Sequence, residues 1–207
     1  MNLFKVLTDP NHFFNERMKQ DIALKVPIAI VLIVGLIGAA NAVMVTRIIM
    51  EALPEDIAAF AGIGAVVAAF GALIAAFIMW LVYSGAFQAI SSALNGKGEF
   101  KRVLEFVAYG FIPSIASAII SLYVTVQTFS TIDFSMDDPQ LLQQTIMSDP
   151  SMQSVAIIGI IFTIWSANIW IFALIHSRNL STRNAAITVG VPVGLYIIYT
   201  AYTLLGA

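Results

Sequence analysis

The sequence predicts an all-α fold: a polytopic membrane bundle of five transmembrane helices preceded by a short amphipathic helix. Three observations predict it. Of 207 residues, 59% are hydrophobic and 11% charged, whereas soluble domains carry about 25% charged residues. The uncharged intervals are long enough to cross a hydrocarbon layer about 30 Å thick, which takes about 20 helical residues. Lys and Arg fall on alternate connections, the pattern that orients a multi-pass chain.

The elements follow in order. Residues 1–25 form an expected cytoplasmic arm. Within it "LTDPNHFFNERMKQD" reads as a helix with Asp9 as cap and Pro10 at its first position. Phe14, Met18 and Ile22 recur at helical spacing, with Phe13 beside them. The stripe fits a headgroup-layer helix or a cap on the bundle equally well.

The first span is expected at 26–48. Ala40, Asn41 and Ala42 loosely match a leader cleavage site, but the apolar run continues past them to Val45, so it reads as a retained span. The second is expected at 57–83, extending as one long helix to Leu94, since neither proline nor charge interrupts it. The remaining spans are expected at 106–128, 154–175 and 185–205. The whole chain, 1–207, then forms one domain.

With this order, nine of the ten basic residues lie on one side, in the arm, in the turn at Lys97, Lys101 and Arg102, and near Arg178 and Arg183. Opposite them stand Glu51, Glu55, Asp56, Asp133, Asp137, Asp138 and Asp149 with Arg47. That asymmetry places the amino end in the cytoplasm and the carboxyl end outside the cell membrane.

"NGKGEFKRVLEFVAYGFIPSIAS" is therefore a cytoplasmic hairpin: Asn95, Gly96 and Gly98 permit the turn, and the basic residues hold it inside. Pro113 is expected to bend the returning helix, with Ser114 and Ser117 re-satisfying freed carbonyls. "GVPVG", Gly190 to Gly194, marks a kink or unwound site at Pro192. Gly64, Ala68, Ala72 and Ala76 recur every fourth residue, as at a close helix seam. Asn41 and Asn168 need partners in hydrocarbon, either as a structural pair or as the lining of a polar cavity. Tyr196, Tyr199 and Tyr202 read as an interfacial aromatic belt.

The chemical inventory is thin. Apart from Arg47, the spans carry no ionisable side chain, and acid-base, nucleophilic or metal chemistry needs such groups in clusters. In the outer loop Asp133, Ser135 and Asp137 mimic the start of a calcium loop. Its sixth and twelfth positions, Asp138 and Gln144, are wrong for one. No enzyme activity, cofactor or metal is expected, and no basic stripe for nucleic acid is present. Cysteine is absent.

Three segments carry a likeness: "DPNHFF", "NGKGEFKRVLEFVAYGFIP", and Trp165 followed by "ALIHSRNLSTRNA" to Ala185. In order and spacing the chain resembles the Yip family of Ypt/Rab-interacting membrane proteins. The resemblance implies five spans, a cytoplasmic amino end and association with other membrane proteins; in eukaryotic members it implies small GTPases as partners. The long N-terminal region and the tyrosine- and glycine-rich motif of those relatives have no counterpart in this sequence, so a prokaryotic member is expected.

The expected function is that of a non-enzymatic adaptor or membrane organiser. It would work through Phe13, Phe14, Lys97, Phe100, Lys101 and Arg102, in contact with lipid, other membrane proteins or a second copy. The rival is a facilitator for a small neutral solute or lipid, lined by Asn41, Asn168 and the serines of the third span.

Overall fold

The computed structural model describes residues 3–51, 60–129 and 149–205. The calcium-like run of the outer loop lies outside the described residues. Among the described residues there are eight helices and no strand: α1 (Lys5–Thr8), α2 (Pro10–Met18), α3 (Lys25–Glu51), α4 (Ala61–Ala93), α5 (Phe100–Tyr109), α6 (Ile112–Phe129), α7 (Pro150–Arg178) and α8 (Thr182–Leu205). Five are long and apolar enough to cross a membrane: Lys25–Ile48, Gly62–Ala93, Ile112–Phe129, Pro150–Arg178 and Thr182–Leu204. Ile63, Val67, Phe70, Ile198 and Tyr199 are each more than 60% exposed, and such apolar surface is stable only against lipid.

Helix starts follow local chemistry. The Asp9 carboxylate accepts from the His12 amide at 3.1 Å, and Asp149 accepts from the Ser151 amide at 2.8 Å; each precedes a proline at the first helical position. Such caps contribute about 1 kcal/mol.

α4 is one uninterrupted helix of 33 residues. At 1.5 Å per residue it spans roughly 50 Å, well beyond the hydrocarbon, so its last turns project into the end of the bundle that carries the arm. α3 packs along it. A Cβ at Gly35 would come within 2.8 Å of the Leu73 side chain and 3.2 Å of Ala76. The small residues of α4 therefore meet a small residue of α3, and the two backbones approach closely.

Two proline expectations need correction. Pro113 does not kink a single helix, because the chain breaks into α5 and α6 at Gly110 and Phe111. Without an N–H, Pro113 has nothing to offer the carbonyl of Tyr109 one turn earlier, whereas it is accepted in the first turn of a new helix. Of the two alternatives at Pro192, the unwound site is excluded, because α8 is helical from Thr182 to Leu205 with the proline inside it.

The break makes α5 a short amphipathic element wedged under the spans, with Val103, Phe106, Val107, Ala108 and Tyr109 all buried. Two indoles secure it from above: Trp80 donates to the Leu104 carbonyl and Trp170 to the Val107 carbonyl, each at 2.8 Å. Tyr83, Phe87 and Phe111 pack around the Trp170 ring. Gly110 lies directly beneath that ring, and a Cβ there would overlap the indole nitrogen. Gly110→Ala is therefore expected to displace Trp170 and cost about 3 kcal/mol, the upper range for overpacking. Unfolding of the purified protein in detergent, followed by tryptophan emission, measures it; an unchanged midpoint and spectrum would show that the ring moves aside freely.

Candidate functional site

Among the described residues, buried ion pairs and long-range side-chain hydrogen bonds gather at the arm-bearing end of the bundle, where α4, α5, α7 and α2 meet. Both long helices that arrive there end on asparagine. Asn95 follows α4 with φ 63° and Asn179 follows α7 with φ 50°, the left-handed conformation that asparagine and glycine adopt most readily. After Asn95 the Gly96 amide returns to the Ser91 carbonyl at 2.8 Å, and after Asn179 the Leu180 amide returns to Ile175 at 3.2 Å. These are helix-terminating motifs that satisfy carbonyls otherwise left open.

The two ends are fastened to each other. Arg178 is 3% exposed. Its Nε donates to Ser91 Oγ at 2.8 Å and Nη1 to the Gly98 carbonyl at 2.5 Å; Nη2 donates to Ser92 Oγ at 2.8 Å and to the Gly96 carbonyl at 2.7 Å. In return the Lys97 amide donates to the Arg178 carbonyl at 2.8 Å. Among the described residues no carboxylate pairs with this guanidinium. Its charge is met by oriented dipoles, a task suited to the planar five-donor fork of arginine. Gly98 completes the fit: its φ is 151°, and a Cβ would collide with the Ser177 carbonyl.

A second fastening holds the arm. Glu105, fully buried, forms ion pairs with Arg17 and Arg102, the latter at 2.7 Å. Arg102 also donates to the Gln20 carbonyl at 2.7 Å, and the Ala23 amide reaches Glu105 Oε1 at 3.4 Å. The link between α2 and α3 is thus tied to α5. Beside it Phe13, Phe14, Phe106 and Tyr109 form an aromatic cluster with centroids 4.8–6.1 Å apart. Burial pushes the Tyr109 hydroxyl above its ordinary range, against a smaller opposing effect from its hydrogen bond to Arg17. His176 meets Asn11 Oδ1 at 2.9 Å and adds a third tie between arm and bundle.

The Yip1 domain family model matches residues 4–204 of this chain. The chain belongs to the Yip1 domain family. Within curated proteins, it is 37% identical over 125 residues to an uncharacterized protein of the archaeon Methanocaldococcus jannaschii, covering 59% of this chain and 86% of that one. No solved structure matches it.

In this Yip1 domain the expected surface residues separate into two groups. Lys97, Phe100 and Lys101 are exposed, Phe100 by 41%. Phe13 and Phe14 are not surface residues, being 1% and 0% exposed. Of the two placements open for the arm, the aromatic cluster selects the cap on the bundle, because stacking on Tyr109 and Phe106 removes both rings from lipid and water alike. Arg102 is likewise withdrawn by its bonds to Glu105 and Gln20.

The two asparagines expected in an intramembrane polar site lie on different helices, Asn41 on α3 and Asn168 on α7. Asn168 is exposed while its neighbours Ile169 and Trp170 are buried, so it sits on the outer side of α7. Asn41 is half-buried on α3, which packs mainly on α4 and α6. Among the described residues no hydrogen bond joins the two amides. Ser114 donates back to the Phe111 carbonyl at 2.6 Å, and Ser117 is half-buried.

Glu105 and Arg178 were the residues sequence reasoning passed over. Each had a signal. Glu105 is a lone carboxylate in an otherwise apolar run, one helical step from Arg102, and Arg178 precedes an asparagine able to end a helix.

Proposed function

We propose that this Yip1-domain membrane protein acts as an adaptor or organiser of other membrane proteins, through the tip of the α4–α5 hairpin and without chemistry of its own. The observation that carries this reading is the tip itself: an exposed Phe100 between the exposed lysines 97 and 101, on a turn pinned by the buried Arg178. A rigid aromatic anchor flanked by charges is the composition of a protein-binding hot spot, since ordering it costs little entropy on binding. The buried ionisable groups support the non-enzymatic half. Arg17, Arg102, Glu105 and Arg178 are all engaged in holding helices together, which leaves them poorly disposed to exchange protons with a substrate.

The asymmetry of basic residues supports a cytoplasmic placement for this end. Photo-cross-linking from position 100 in native membranes tests the proposal. A discrete protein adduct is expected, weakened at least severalfold when Lys97 and Lys101 are both changed to Gln. Adducts with lipid alone would refute it.

A further inference from the structure

Beside the hairpin tip, the arm, the turn and the end of α7 enclose a pocket of about 430 Å³. We propose that it binds the phosphate of an anionic phospholipid headgroup. One wall is apolar, Met18 and Ile22, at the point where the arm turns into α3; the others present Lys97, Glu99, Arg102 and Ser177. The 10-residue helix α5 starts beside this pocket, and Glu99, the residue that precedes it, makes no side-chain cap. Among the described residues the amides of Phe100 and Lys101 have no acceptor, so the helix begins, next to the pocket-lining Glu99, with two open donors. Open amides and the positive end of a helix dipole form a phosphate site when cations stand nearby.

Two further observations point to a ligand. Ser177 lines the pocket, is 2% exposed, and its hydroxyl has no partner. A buried hydroxyl left unpaired costs about 1–3 kcal/mol, a loss that an acceptor oxygen delivered into the pocket would recover. The local charge is also unbalanced. Among the lining residues and those bonded to them, Lys97, Arg102 and Arg178 stand against Glu99 and Glu105. The Lys97 ammonium is exposed and, among the described residues, in no ion pair, so it can meet a phosphate oxygen. Met18 and Ile22 would carry the glycerol and first methylenes toward the hydrocarbon beside α3, which a soluble phosphate cannot use.

The test uses the full chain purified in a neutral maltoside detergent. Its melting midpoint is titrated with dioctanoyl phosphatidylglycerol, dioctanoylglycerol and inorganic phosphate. Phosphatidylglycerol is expected to raise the midpoint and the phosphate-free lipid to leave it unchanged. Lys97→Gln, an exposed change, should weaken the apparent affinity about tenfold, equivalent to about 1.4 kcal/mol; Lys101→Gln, outside the pocket, should not. Ser177→Ala should leave the ligand-free midpoint unchanged or raised, yet reduce the lipid response.

Three results would overturn the proposal: no shift with phosphatidylglycerol, equal weakening by Lys97→Gln and Lys101→Gln, which would mean diffuse surface attraction, or an equal shift with inorganic phosphate, which would assign the site to a soluble ligand.

Discussion

Replacing Arg178 by methionine is expected to lower stability by about 4 kcal/mol, close to the loss seen when one member of a buried charged network is removed. Methionine preserves much of the side-chain volume, so the effect isolates the hydrogen bonds. Two serine hydroxyls and the carbonyls of Gly96 and Gly98 lose their donors together. The hydroxyls keep their own donations to the Gln88 carbonyl, but the glycine carbonyls are held by their own turn and cannot reach another donor. Each buried acceptor left open costs about 1–3 kcal/mol.

Arg178→Lys should recover less than half of this. An ammonium is a compact charge with three donors and cannot fork to acceptors on both sides of a turn. Unfolding in mixed micelles, followed by tryptophan emission, gives the midpoints. If lysine matched arginine, charge rather than fork geometry would be what the site requires.

Glu105→Gln is expected to cost about 3 kcal/mol and to free the arm. The carboxylate accepts from Arg17, Arg102 and the Ala23 amide together. An amide of the same shape is neutral and turns one donor toward a guanidinium. Arg17, 5% exposed, would then be a buried cation without its counter-charge, the costly half of a broken pair.

The consequence is local as well as global. With the tie gone, Phe13 and Phe14 retain their stacking, but the link from Lys19 to Leu24 keeps only the Arg102 bond to the Gln20 carbonyl as its attachment to α5. Hydrogen exchange should therefore quicken between Asp9 and Leu24 while α4 and α7 remain protected. Uniform protection with an unchanged midpoint would show that the aromatic cluster alone holds the arm.

The legible part of the fold is the part that lipid dictates. Uncharged stretches must be helical in hydrocarbon, because every amide has to be bonded within its own segment. That requirement acts on each stretch separately, so five crossings follow without knowing how they pack. The caps at Asp9 and Asp149 and the asparagine-glycine turn after α4 are equally local, set by residues a few positions apart.

The site was less legible, since its bonds join Arg178 to Ser91 and Arg17 to Glu105, each pair more than eighty positions apart. The reading of Asn168 shows the same limit: a span that is apolar all round carries no stripe to say which side faces the bundle, and only packing put that amide on the outside.

Amino-acid order by itself therefore determined the number of crossings, the caps and the turn, because hydrocarbon and backbone geometry constrain each segment alone. Tertiary structure decided that the arm's phenylalanines are buried, that Pro113 opens a new helix, and which charges are neutralised. Those outcomes depend on what distant segments bring within a few ångströms, which no single segment contains.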